Sequence, residues 1–73
     1  MGNSVGRHEG RGIAKKRRLL GMTQHQISQA TGIGVNRIVF FETGRCLLLP
    51  EEIDTIRSVL RKRAQKSLEL VSA

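Results

Sequence analysis

The segment Gly32-Ile33-Gly34 places the tightest constraint on how this chain folds. Both flanking stretches have helical character, and a three-residue link between two helices leaves room for little besides a sharp turn. Helix two is expected from Gln24 to Thr31. Thr23 is its N-cap, since a threonine hydroxyl can accept an orphan backbone N–H. Ile27, Ala30 and Thr31 share a face at i, i+3 and i+4. Helix three is expected from Val35 to Thr43, with Gly44 as its stop. Its residues (VNRIVFFET) are β-branched and aromatic enough to tolerate a strand. The bounding glycines and the helical spacing of Ile38 and Phe41 favour helix.

Two more helices flank this pair. Helix one is expected from Ile13 to Leu20, closed by Gly21 as a C′ cap. It carries Ile13, Ala14, Leu19 and Leu20 as apolar members and a basic run, Lys15 to Arg18. Pro50 suits the first turn of helix four, where Glu51, Glu52 and Asp54 complement the helix dipole. Ile53, Ile56, Val59 and Leu60 form its apolar stripe, and Arg61, Lys62, Arg63 and Lys66 favour its C-terminal end. Arg45 to Leu49 reads as an apolar loop. Residues 1–12 hold four of the eight glycines and read as a flexible arm, made cationic by Arg7 and Arg11. The expected fold class is all-α: a compact four-helix domain over 13–67, with the helix-turn-helix at about 23–43. Residues 68–73 read as a tail that frays or packs on a partner.

Composition narrows the function. In 73 residues, thirteen Lys/Arg face six Asp/Glu, a net charge of +7. A chain this short buries only about 60% of its unfolded surface. That argues against a deep catalytic cleft and makes dimerisation attractive. Cys46 is the single cysteine, which excludes an intramolecular disulfide. With only His8 and His25 beside it, a four-ligand structural zinc site is not expected. Cys46 itself reads as a small apolar filler, and His25 as solvent-facing. A lone thiol suits a reducing cytoplasm. No apolar run approaches the ~20 residues of a membrane span, and the N-terminus lacks the apolar core of a signal peptide. Met1-Gly2-Asn3-Ser4 opens like a myristoylation signal, but Gly6 stands where that motif needs Ser or Thr. No Ser/His/Asp set, carboxylate pair or phosphate loop can be assembled, so neither an enzyme nor a cofactor is expected. A polyanionic partner is the simplest reason for the charge. A merely solubilising surface is the alternative.

Thr23-Gln24, Ile27, Gly32-Ile33, Ile38, Phe41-Glu42 and Gly44 fall at spacings that resemble the Cro/repressor-type, lambda-repressor-like helix-turn-helix family. Arg17, four residues before Gly21, matches the family's helix-one arginine. The resemblance covers Ile13 to about Leu60. Ser28 departs from the usual alanine, and Pro50 arrives late after a loop containing Leu47, Leu48 and Leu49. The resemblance implies a semi-buried ion pair between Arg17 and Glu42. It also implies that Gln24 points at the DNA backbone, that Thr43 and Arg45 clamp a phosphate, and that Arg17 can reach one.

Helical geometry sorts helix three without the family. Stepping about 100° per residue from Ile38 puts Phe41, Glu42 and Val35 on the inner face. Asn36, Phe40 and Thr43 lie on the outer face, and Arg37 and Val39 at the margins. An outer face of this kind is what a recognition helix presents to the major groove. The expected base contacts are Asn36, Arg37, Phe40, Val35 and Val39. Asn36 suits adenine, Arg37 suits guanine or a phosphate, and Phe40 and Val39 suit thymine methyls. Asn36 could instead be simply solvated, and Phe40 could pack on a dimer mate or the loop. Lys15, Lys16 and Arg11 are expected to add phosphate contacts, unless the basic run is only a solvated face.

The function these expectations describe is a sequence-specific, double-stranded-DNA-binding transcriptional regulator. One recognition helix is rarely specific enough, so a homodimer reading an inverted repeat is expected. With no sensor domain in the chain, a repressor or autoregulator of a phage, plasmid or toxin–antitoxin operon fits. Leu47, Leu48, Leu49 and Leu68 are the candidate dimer contacts, to which Leu70 and Val71 could add, unless the three loop leucines close the monomer core. An antitoxin-like module that binds a partner protein such as a toxin is the alternative. An RNA-binding protein is a third reading, disfavoured by the absence of Tyr and Trp.

Overall fold

Four helices make up the described chain: α1 (Val5–Leu19), α2 (Gln24–Thr31), α3 (Val35–Glu42) and α4 (Pro50–Ser72). The computed structural model describes the backbone of residues 5–72 and the side chains of residues 9–66 and 68. Residues 1–4 and Ala73, and the side chains of Arg7, His8, Leu70 and Val71, lie outside the described residues. The described chain has no strand, and the fold is all-α.

At eight residues each, α2 and α3 are shorter than the roughly 12–15 residues an isolated helix needs. Packing therefore maintains them. Their contribution to the core is Ile27, Ile38 and Phe41, which with Ile56 of α4 are the largest fully buried side chains. Ile13, Ile33, Leu48, Ile53 and Leu60 complete the cluster, with Leu20, Met22, Cys46 and Val59 packed at its edge. α1 and α2 each pack on both α3 and α4, whereas α3 and α4 do not pack backbone against backbone.

Local chemistry sets the ends of α2. The Thr23 hydroxyl accepts from the Gln26 N–H at 3.0 Å, and the Gln26 side-chain oxygen accepts from the Thr23 N–H at 2.8 Å. This is a reciprocal capping box. At the other end Gly32 takes a left-handed conformation (φ 78°), which an L side chain would resist. Gly21 and Gly44 end α1 and α3 in the same way. The Ser28 hydroxyl donates to the Ile33 carbonyl at 2.6 Å, and the Thr31 hydroxyl accepts from the Ile33 N–H at 3.2 Å. Ser28 and Thr31 thus tie the turn to α2.

Three expectations change. α1 starts at Val5 rather than Ile13, so most of the expected arm is helix. Glycine content argued for an arm, but tertiary packing decides otherwise. Gly10, Ile13, Ala14 and Arg17 form one buried stripe at i, i+3, i+4 and i+7. At Gly10 the helix lies so close to α3 that a Cβ would overlap the Phe41 carbonyl. Glu9 adds an ion pair to Arg57 of α4 at 2.8 Å. At the other end of the chain, α4 runs to Ser72 through the expected tail. Finally, Leu48 is buried in the core, leaving Leu47 and Leu49 as the exposed leucines of that loop. Leu48 is therefore removed from the candidate dimer contacts.

Two neighbouring glycines test this placement of α1. Gly12 has nothing within reach of an added Cβ, so Gly12→Ala should raise stability by about 0.5–1 kcal/mol. Gly10→Ala should lower it despite the same gain in helix propensity, because α1 must move off Phe41. Chemical denaturation of both variants checks the pair. A disordered segment here would leave both unchanged.

Candidate nucleic-acid interface

Helix three can expose an outer face only if its inner face is firmly held. Glu42 supplies that hold. Its side chain lies 3% exposed at the C-terminal end of α3 and its carboxylate accepts two hydrogen bonds from Arg17, Nε at 2.8 Å and Nη2 at 2.9 Å. Arg17 Nη1 donates to the Met22 carbonyl at 2.8 Å, and the Gln24 amide donates to Glu42 at 2.9 Å. One carboxylate therefore joins α1, α2 and α3, and one guanidinium also holds the α1–α2 connection. Among the described residues, no buried side-chain polar atom lacks a partner. This satisfies the condition under which a buried charge pair is tolerated.

The network engages two side chains expected at phosphates. Arg17 is buried with all three nitrogens engaged, so it acts as a strut. Gln24 turns toward Glu42 and leaves its second amide proton as the available donor. The Thr43 hydroxyl donates within α3, to the Val39 and Phe40 carbonyls. It can donate to an outside oxygen only after rotating. Lys15, Lys16, Arg11 and Arg45 are exposed. Lys16 lines a groove between α1 and α4.

Along α3, Asn36, Arg37 and Phe40 are exposed, whereas Val35 and Val39 are half-buried. Arg37 has a partner that sequence reading missed. Its Nη1 and Nη2 donate to Glu52 of α4 at 2.6 and 2.8 Å. The Leu49 N–H donates to the same carboxylate at 2.9 Å, so Glu52 caps the first turn of α4 while holding Arg37. The run Leu49-Pro50-Glu51-Glu52 hinted at the cap, but only the fold brings Arg37 within reach. The Arg37 hydrogen bonds, and then that of Leu49, hold the Glu52 carboxyl below the usual carboxylate range. The same contact raises the Arg37 guanidinium above its ordinary value. The Cys46 thiol lies 3.6 Å from the Arg37 carbonyl.

The groove between α1 and α4 has a volume of about 400 Å³. Leu19, Leu20, Leu60 and Ala64 are its apolar lining, with Lys16, Arg57 and Arg61 beside them. Leu19 is 77% exposed. Among the described residues no cluster of His, Cys, Asp or Glu could hold a metal ion, and no helix is long and apolar enough to cross a membrane. Comparison with family models, curated proteins and solved structures returned no match. The assignment of this face therefore rests on the chain's own residues.

Two measurements test the geometry. Removing one partner of a buried pair costs roughly 3–5 kcal/mol, against a total of about 4–11 kcal/mol for a chain of this length. Glu42→Ala should therefore remove a large share of the domain's stability, seen as a much lower melting temperature. Arg17→Ala added to it should cost little more, since the two act as a unit. Circular dichroism of the single and double variants reads both outcomes.

Glu52 has a lowered pKa in the fold, so its contribution is present above the unfolded carboxylate range and lost as pH falls through the lowered value. The melting difference between wild type and Glu52→Gln should thus hold from neutral pH down to about 4.3. Below that it should fade. A difference that grew on acidification would overturn the pairing.

Proposed function

We propose that this chain is a sequence-specific double-stranded-DNA-binding regulator of the Cro/repressor, lambda-repressor-like type, working in the cytoplasm. The observation that supports the reading most directly is the α2–turn–α3 unit. A three-residue turn joins two short helices, and the second presents Asn36 and Phe40 outward while Glu42 holds its inner face. In that reading α3 enters the major groove. Asn36 pairs with adenine through a bidentate contact, and Phe40 covers thymine methyls. Val35 and Val39 add contacts at the rim.

The excess of +7 supports a polyanionic partner. Arg45, Arg11, Lys15 and Lys16 are the exposed cations assigned to phosphates, with Gln24 and Thr43 as adjustable polar contacts. A homodimer would place two such helices about 34 Å apart on an inverted repeat. Leu47 and Leu49, exposed between α3 and α4, are the first candidates for that seam, followed by Leu68 on the far part of α4. Regulation by occupancy alone, as in a repressor or autoregulator, suits a domain of this size.

A second reading has its own observation. The apolar, basic-rimmed groove between α1 and α4 lies apart from the outer face of α3. It favours a protein partner, as in an antitoxin-like module.

Selection of bound duplexes from a random library at physiological salt, with nonspecific competitor, separates the two. The expected result is an enriched inverted repeat with half-sites near one helical turn apart. Asn36→Ala should then relax one base position by about 1–3 kcal/mol without altering melting. Arg45→Ala should weaken all duplexes alike and lower the salt slope by about 1. Binding with no enrichment, fading only as salt rises, would shift the assignment to a protein or RNA partner.

A further inference from the structure

We infer that Glu52 is a positioning residue for recognition, and that it turns Arg37 from a general phosphate contact into a fixed reader of guanine. This inference rests on α3 being the base-reading helix. Three observations support it. The first is the geometry of the pair. Glu52 engages both terminal nitrogens of Arg37, and its carboxylate is itself anchored by the Leu49 N–H in the first turn of α4. Both ends of the Arg37 side chain are thus held, one by α3 and the other by α4.

The second is what remains unused. A guanidinium carries five N–H donors in a rigid fork. A carboxylate meeting the two terminal nitrogens occupies one donor on each. The edge containing Nε keeps two near-parallel donors, the arrangement that matches guanine O6 and N7. Half of the Arg37 side chain is exposed, whereas Glu52 is 18% exposed, so the arginine is the more accessible partner.

The third is charge. An arginine standing alone on a recognition helix is drawn to any phosphate within reach. Paired with Glu52 it is close to neutral as a unit, and the carboxylate repels an approaching phosphate. Attraction to the backbone is largely cancelled, and hydrogen-bond geometry remains as the discriminating term. The cost is some nonspecific affinity. The other exposed cations supply that affinity.

The test uses the full chain and the duplex enriched in the selection above. Each base pair of one half-site is varied in turn, and affinities are measured for wild type, Arg37→Gln and Glu52→Gln. Arg37→Gln should erase a preference of about tenfold or more at one G·C pair. Glu52→Gln keeps the side-chain shape and an acceptor for the Leu49 N–H, so the fold should persist. It should flatten the same pair several-fold, leave the remaining positions alone, and raise affinity for an unrelated duplex. Should Glu52→Gln fail to fold, Glu52→Asp keeps the charge and shortens the reach, and should flatten the same pair without raising affinity for the unrelated duplex.

A merely structural role would weaken every duplex alike and leave the preference at the G·C pair as it was. That result overturns the inference, as does an unchanged preference in Glu52→Gln. A sharper preference with tighter operator binding would show that Glu52 withholds Arg37, and also overturns it. If no operator is enriched at all, the DNA-binding reading fails and the inference with it. An operator read identically by wild type and Glu52→Gln overturns the inference alone.

Discussion

Everything the outer face of α3 can do depends on the carboxylate on its inner face. Glu42 is a charged residue in a domain with little core to spare, and burial alone would make it a liability. The Arg17 guanidinium, the Gln24 amide and the Met22 carbonyl complete a network in which each polar group has a partner. That network fixes the first three helices relative to one another more directionally than apolar packing does. Ile27, Ile38 and Phe41 supply the non-directional part of the same contact. The two kinds of interaction have separate effects. Apolar burial holds the helices together, and the ion pair sets their rotation.

Much of this was legible in the residues. Three glycines and one proline marked the helix ends because left-handed backbone and a missing N–H leave few other places for them. Thr23 and Gln26 stand at capping-box spacing, and α2 begins there. The inward placement of Glu42 followed from helical periodicity alone, and the resemblance implied its partner Arg17. Each of these signals is local or has a fixed spacing.

What was not legible depends on distance in space. Gly6, Gly10 and Gly12 together read as an arm, because propensity favours no helix there. The helix is maintained by a contact from Gly10 to the backbone of Phe41, far along the chain, where the absence of a side chain is the fitting feature. Glu52 was visible as a helix-dipole carboxylate and not as the partner of Arg37. Leu47, Leu48 and Leu49 are chemically identical, and only the path of the loop buries the middle one. Gln24 and Arg17 were placed at phosphates by resemblance, while the local geometry directs both toward Glu42.

The bidentate contact between Arg37 and Glu52 has a consequence for how this surface can diverge. Asn36 and Phe40 project outward, so exchanging either disturbs little of the domain itself. Position 37 is different. Replacing the arginine strands a carboxylate that α4 needs for its first turn, and replacing the glutamate releases a cation beside that turn. Substitutions at 37 and 52 are therefore non-additive, and a lineage changing one would be under pressure to change the other. The face of α3 divides into positions that can drift singly and one that drifts only as half of a pair.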